Sequence, residues 1–241
     1  MDKSEHSYSL RVKNGAGWRR FNRIRLLISV GHEYHEGQKL EAIVDWINRN
    51  PSIEEVHISV NDLLQRHNFI AAGVSEQEAI SIALAEGGLW IARNGEVLSK
   101  IHAKKQMTRW KDWFGTPDFL AALSALLAYK EQDSLFQETL KIDSCALAAR
   151  KDQRGEGIPT HFIEQSQSYI EEEMAVFAIQ SARLPAAEVY PGSNLQAADY
   201  LSSINVQQLP LPIRSLASRY FTRVDFARKK EHVFPPQSVV A

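Results

Sequence analysis

Short apolar runs alternate along the chain with stretches of helical periodicity. Arg25-Leu26-Leu27-Ile28-Ser29-Val30 is an apolar run stopped by Gly31, the pattern of a buried strand. From Lys39 to Asn50, Leu40, Ile43, Val44, Trp46 and Ile47 recur at helical spacing. Val56-His57-Ile58-Ser59-Val60 then alternates as a second strand. Strand, helix, strand in so short a span is a βαβ unit, which implies a parallel sheet. A long helix opens at Ser75, with Ser75 and Glu78 spaced as a capping box, and breaks are expected at Gly87-Gly88 and Asn94-Gly95. Gln106 to Trp110 is expected as a third strand. Thr116-Pro117-Asp118 has the N-cap and first-turn chemistry of a helix running through Leu120, Leu123 and Leu126. Pro159-Thr160 opens another that reaches Arg183, and Glu188-Val189-Tyr190 is a short strand closed by Pro191-Gly192. The start of the chain, to about residue 20, reads as frayed. Gly155-Glu156-Gly157 reads as a loop, and Pro210, Pro212, Pro235 and Pro236 mark loops and edge pieces. Without repeats, low-complexity blocks or a linker, residues 1–241 read as one α/β domain.

Composition narrows the class. The 241 residues are 44% hydrophobic and 24% charged, long enough for one large buried core. A single cysteine, Cys145, excludes a disulfide scaffold and a Cys-rich zinc site and fits a reducing compartment. The most sustained apolar stretch, Phe119 to Tyr129, falls well short of the ~20 residues of a membrane span. The opening residues MDKSEHSYSL contain no apolar h-region. A cytoplasmic protein without membrane contact is the expectation. Lys and Arg number 28 against 29 Asp and Glu, so DNA binding by the whole surface is not expected, and any nucleic-acid contact must come from patches. Such patches occur at Arg19, Arg20, Arg23 and Arg25, at Lys100, Lys104, Lys105, Arg109 and Lys111, and at Arg228 to Lys230; each is ordinarily a solvated face.

Three groups of residues can carry chemistry. Ser29 stands at the carboxyl end of the first strand, where open parallel sheets bind ligands, and Gly31 permits close approach. It is either a nucleophile or a small residue tolerated at a strand end. No G-x-S-x-G elbow surrounds it, and no histidine is spaced to serve it. His32 and His35 have the separation of a metal pair but lack a third ligand. Tyr169 and Glu173, at i and i+4, emerge from one helix face beside an apolar stripe of Ile163, Ile170, Met174 and Phe177. A carboxylate there is partly desolvated, which favours a proton or a bound ammonium; otherwise the run is a solvated acidic face. Tyr190, followed by Pro191, ends another strand.

Taken in order, Ile28-Ser29-Val30-Gly31, the Tyr169-to-Glu173 motif and Tyr190-Pro191 resemble the tRNA-dependent cyclodipeptide synthases. The match is to the branch marked by Tyr-Pro, with a variable residue, His32, three after the serine. Ser75-x-Gln77-Glu78-Ala79 and Thr116-Pro117-Asp118-Phe119 extend the similarity, which runs from about residue 20 onward. The resemblance implies a Rossmann-like parallel sheet flanked by helices, similar to the catalytic domain of class I aminoacyl-tRNA synthetases. It implies an enzyme that uses no cofactor or metal and takes two aminoacyl-tRNAs in a ping-pong reaction, and the polar composition makes a monomer the default. Ser29 would carry the aminoacyl and then the dipeptidyl group before release of a diketopiperazine. Tyr169 and Glu173 would hold the amine, Tyr190 would orient the acyl chain and assist proton movement, and Gly31, His32 and Pro191 would border the substrate. The synthetase HIGH and KMSKS signatures are absent, as suits a reaction without ATP. The family's long helix is densely basic, whereas Glu76 to Lys100 holds only Arg93 and Lys100. Docking of tRNA is therefore expected on those two with Arg19, Arg20, Arg23, Lys104 and Lys105. A non-catalytic Rossmann-type module binding nucleotide or charged tRNA, and a serine hydrolase or acyltransferase acting on small esters, are the competing readings.

Overall fold

The structure, a computed structural model, describes residues 7–13, 15–150 and 158–229. Its six strands are β1 (Tyr8–Val12), β2 (Arg23–Ser29), β3 (Glu55–Asn61), β4 (Lys104–Arg109), β5 (Ala187–Tyr190) and β6 (Tyr220–Arg228). They form one sheet in the order β1-β6-β5-β2-β3-β4. Every neighbouring pair is parallel except β1 with β6. Across the five parallel strands the chain order is 3-2-1-4-5, the doubly wound Rossmann-like arrangement that the βαβ pattern implied. The helices are α1 (Gly37–Asn48), α2 (Arg66–Ala71), α3 (Glu76–Ser99), α4 (Pro117–Lys130), α5 (Ser134–Ala149), α6 (Thr160–Arg183) and α7 (Gln196–Ser203).

Strand alternation divides the interior in two. Ile24, Leu26, Ile28 and Val30 of the first run join Val56, Ile58 and Val60 of β3 in a core closed by Leu40 and Ile43 of α1 and Trp90 and Leu98 of α3. Burying each of these side chains contributes about 1.5–3 kcal/mol. The opposite face of β2 and β3 meets α6, and there Leu27 joins Ile170, Met174 and Phe177 in a second core shared with α4, α5 and α7. That second face also carries Arg25, Ser29, His57, Ser59 and Asn61, all buried.

Several expectations need correction. The start is not frayed throughout: Tyr8–Val12 pairs antiparallel with β6 and closes one sheet edge. The long helix does not break at Gly87 or Gly95. At Gly87 a side chain would place its Cβ 2.4 Å from Cβ of Asp62, so this glycine allows α3 to pass against the loop after β3. Asp62 is held there by Leu63 N–H, Trp110 N–H and the Arg109 guanidinium. Ser75 stands at the N-cap of α3 without a side-chain capping bond, whereas Thr116 Oγ1 accepts from Phe119 N–H, as its motif implied. Helices α5 and α7 and strand β6 were not anticipated. β6 mixes buried Thr222 and Val224 with exposed Arg223 and with Asp225, a weak alternation that sequence patterning does not isolate. Gly155 to Gly157, Pro235 and Pro236 lie outside the described residues. Among the described residues no helix is long and apolar enough to cross a membrane.

Gly87→Ala is expected to destabilise the fold by about 2 kcal/mol, because overpacking against Asp62 outweighs the helix-propensity gain. Urea denaturation of the two proteins measures this, and equal midpoints would refute the close-packing account.

Candidate active site

The parallel strand order reverses direction between β2 and β5, and ligands in such sheets bind at the carboxyl ends of the strands on either side of that point. β2 ends at Ser29 and β5 ends at Tyr190. Their hydroxyls meet: Ser29 Oγ lies 3.2 Å from the Tyr190 oxygen. Two turns set this contact. Gly31 has φ +84°, a left-handed conformation that costs glycine little. At Gly192 a Cβ would lie 2.5 Å from the Tyr190 ring, so glycine leaves the ring its place. Burial pushes the Tyr190 phenol above its ordinary pKa, and the Ser29 hydrogen bond opposes that shift.

A cavity of about 270 Å³ opens over this pair. Ser29, Tyr190, Tyr169 and Glu173 all line it, together with Asn61, Gln65, Asp143 and Arg219. The Glu171–Glu173 run is not a solvated acidic face, because successive helical residues point about 100° apart. Glu171 accepts from Lys130 of α4 at 2.9 Å, and Glu172 pairs with Arg66 at 2.6 Å and His67 at 3.0 Å. Glu173 alone turns into the cavity, where Asn61 Nδ2 donates to it at 3.4 Å. Burial raises the Glu173 pKa to about 8, with Arg219 opposing the shift and Glu188 adding to it. Burial, followed by the nearby Glu173, places the Tyr169 phenol well above its usual value. Gln65 Nε2 donates to the Tyr169 oxygen at 3.4 Å.

The histidines separate in role. His35 is fully buried, and its Nδ1 accepts from Ser29 N–H at 3.1 Å. Burial lowers its pKa to about 3, and the Ser29 backbone contact opposes that. Its described hydrogen bonds to Ser29 go to the backbone, while Oγ meets Tyr190, an arrangement unlike a Ser-His hydrolase pair. Among the described residues no group of three or more His, Cys, Asp and Glu side chains is placed to hold a metal. His32 is exposed and lines the cavity with Arg150. Gly31 and Pro191 do not line it; Pro191 borders a separate open depression with Tyr34 and Lys39.

The expected tRNA-contacting cations do not converge on this cavity. Arg23 begins β2 six residues before Ser29, about 20 Å away at the strand rise, and pairs with Glu55 at 2.5 Å. Lys104 and Lys105 lie beside Glu55 and Val56 on the same far edge, and Lys105 caps the carbonyls of Ser99 and Ile101. Lys100 follows the last turn of α3 and pairs with Glu96. Arg20 packs on Tyr220, which starts β6, and Arg19 on Trp18. Arg93 is bound to Glu36 at 3.1 Å. Glu36 is also the N-cap of α1, and its carboxylate opposes a phosphate at that helix terminus.

Sequence reading missed His35 as a brace, and missed Asn61, Gln65, Asp143 and the ion cluster of Arg25, Glu188 and Arg219. Part of the signal was present: His57, Ser59 and Asn61 place a polar residue at every second position of a strand, which on a doubly covered sheet marks a polar interior face.

Fold and site together define an α/β domain with a hydroxyl-and-carboxyl cavity at the switch point of a doubly wound sheet. No family model matches the sequence, and no curated protein matches it. Solved structures of cyclodipeptide synthases share its fold. The chain resembles one from Fluoribacter dumoffii with a TM-score of 0.79 at 20% identity, over 92% of this chain and 100% of that chain. A cyclodipeptide synthase from Candidatus Glomeribacter gigasporarum, solved bound to Phe-tRNAPhe, gives a TM-score of 0.65 at 19% identity, over 91% of this chain and 92% of that one. A Mycobacterium tuberculosis protein whose structure relates cyclodipeptide synthetases to type I tRNA synthetases gives 0.64 at 15% identity, over 94% and 96%.

The Glu173 environment predicts a pH signature. With a folded pKa near 8 against an ordinary 4.5, the unfolded chain releases a proton that the folded one retains. Glu173 therefore lowers stability as pH rises from about 4.5 to 8, at up to ~1.4 kcal/mol per pH unit. Glu173→Gln should gain stability over the parent progressively across that window, measured by urea denaturation at pH 5 and pH 8. His35 and His57, held near 3 and 4, act in the opposite direction but equally in both proteins. A difference that does not change with pH would contradict the buried-carboxyl account.

Proposed function

We propose that this protein is a tRNA-dependent cyclodipeptide synthase, an aminoacyltransferase of the Tyr-Pro branch. The observation that carries this reading is the Ser29–Tyr190 contact of 3.2 Å at the floor of the cavity into which Tyr169 and Glu173 also project. Ser29 Oγ attacks the ester carbonyl of a first aminoacyl-tRNA. The ribose oxygen leaves with the serine proton, relayed through Tyr190 or the neighbouring ribose hydroxyl. Aminoacyl-tRNA is already an activated ester, so this transfer needs no ATP.

The acyl-enzyme amine then sits between Tyr169 and Glu173. An ammonium converts the reluctant Glu173 carboxyl to its ionised form, since opposite charge favours ionisation. Burial, which raises the Glu173 pKa to about 8 before the amine arrives, makes its carboxylate a proton acceptor matched to an amine. Deprotonated by Glu173, the amine attacks the ester of a second aminoacyl-tRNA, and the proton passes to the departing ribose oxygen. The resulting dipeptidyl-enzyme closes when its new amine attacks the Ser29 ester, returning the proton to Oγ and releasing a diketopiperazine. Holding amine and ester together makes closure unimolecular, an advantage of about 7 kcal/mol or more when well oriented. A Ser-His hydrolase finds no support, because His35 contacts the Ser29 backbone and stays neutral. A phosphate-binding module finds none at α1, because Glu36 occupies the helix terminus.

Expression in a bacterial host with mass spectrometry of the medium tests the reading. The parent should yield a cyclodipeptide, and Ser29→Ala should abolish it while retaining the fold. Persistence of product in that variant would overturn the nucleophile assignment. Tyr190→Phe should lower output about tenfold or more as a proton-handling group is lost, and unchanged turnover would remove Tyr190 from the mechanism. Tight phosphate contacts should also make activity fall as salt is added.

A further inference from the structure

Beneath the cavity lies an ion cluster that the acyl-transfer scheme does not use. Arg25 Nη1 donates to Glu188 Oε1 at 2.8 Å, and both side chains are fully buried. The other Glu188 oxygen accepts from Arg219 Nε, whose side chain is 3% exposed. Two guanidinium groups thus share one carboxylate in the protein interior. His57, beside Arg25 at 3.3 Å, adds no compensating negative charge. The Arg25 fork has a structural task, since Nη2 donates to the carbonyls of Gln180 and Leu184 at the end of α6.

Arg219 differs, because it lines the cavity that Ser29 lines. Its guanidinium lies 4.3 Å from the Phe177 ring centroid and 5.6 Å from that of Phe221, and Nη1 donates to Asn194 at 2.9 Å. Nη2 has no hydrogen-bond partner among the described residues. Stacked on one side, anchored at Nε and Nη1, the group is immobilised with a donor edge remaining. Two other carboxyl groups line the cavity: Glu173, whose charged form Arg219 favours against burial, and Asp143, which accepts from Ala197 N–H at 2.9 Å. By itself the cluster sets two guanidinium groups against one carboxylate beside the cavity, and a buried charge of this kind is costly until an anion meets it.

We infer that one of the two aminoacyl groups joined here carries a side-chain carboxylate, which Arg219 receives where it lines the cavity. The inference rests on the cyclodipeptide synthase reading and specifies its substrate class. Leu27, Phe177 and Phe221 line the cavity alongside Arg219 and suit the methylenes of such a side chain. The planar fork favours a carboxylate over a neutral amide through charge-assisted hydrogen bonds.

Purified protein supplied with aminoacyl-tRNAs of defined charge tests this by mass spectrometry of the products. Glutamate or aspartate is expected in the main cyclodipeptide of the parent, above the yield with glutamine or asparagine. Arg219→Met should cut carboxylate-containing product at least about tenfold relative to products of neutral residues, as loss of a built polar partner does. Arg219→Lys, which retains the charge and part of the pairing with Glu188, should keep the preference in weakened form. A parent that makes only neutral cyclodipeptides overturns the inference and leaves the synthase reading standing, whether or not the variants fold. An unchanged product ratio in a folded Arg219→Met also overturns it. A parent that makes no cyclodipeptide from any aminoacyl-tRNA overturns both.

Discussion

The candidate site depends on one topological constraint: β2 and β5 are neighbours whose following chain segments leave in opposite directions. β2 continues toward α1, while β5 runs into the turn at Pro191-Gly192 that leads to α7. The ends of the two strands are therefore uncovered by their own connections, and the space above them is open. The parallel pairing of Leu26 with Val189 brings Tyr190 level with Leu27, two residues before Ser29 on the same face of the sheet, and the two hydroxyls come within 3.2 Å. The glycines complete the arrangement, Gly31 by its positive φ and Gly192 by the absence of a Cβ against the tyrosine ring.

The interior on this side is polar to an unusual degree, and the polarity is organised. On the α1 and α3 side, β2 and β3 present the aliphatic Ile24, Leu26, Ile28, Val56, Ile58 and Val60. On the α6 side, Arg25, His57, Ser59 and Glu188 are all fully buried. Such groups persist only when paired, since removing one partner of a buried ion pair costs about 3–5 kcal/mol. Arg25 ties β2 to β5 and to the last turn of α6, and Arg219 extends the tie to the entry of β6. The same network that fixes three strands and a helix also sets the electrostatic character of the cavity floor, lowering the Glu173 pKa through Arg219 while burial raises it.

Much of the fold was legible because periodicity is local. The runs at Arg25–Val30 and Val56–Val60, the helical spacing between them, and the Thr116-Pro117 N-terminus all lie within a few turns of sequence, and each became the element expected. Ser29, Tyr169, Glu173 and Tyr190, which the motifs singled out along 162 residues of chain, line one cavity. The misreadings have a common origin. Gly87 reads as a break because glycine lowers helix propensity, yet its partner is Asp62, a residue outside the helix. Composition records charge without position; strand direction places Arg23, Lys104 and Lys105 at the edge opposite Ser29.

By itself, then, the sequence determined the α/β class, the buried strands and the residue types able to exchange protons with an ester and an amine, since these follow from side-chain chemistry and from periods of two and 3.6. Tertiary structure alone decided that Glu171 and Glu172 are paired with Lys130, Arg66 and His67, that His35 braces the serine backbone, and that Arg25, Glu188 and Arg219 meet. Those outcomes depend on contacts between residues up to 163 positions apart, whose distances and desolvation exist only once the sheet has assembled.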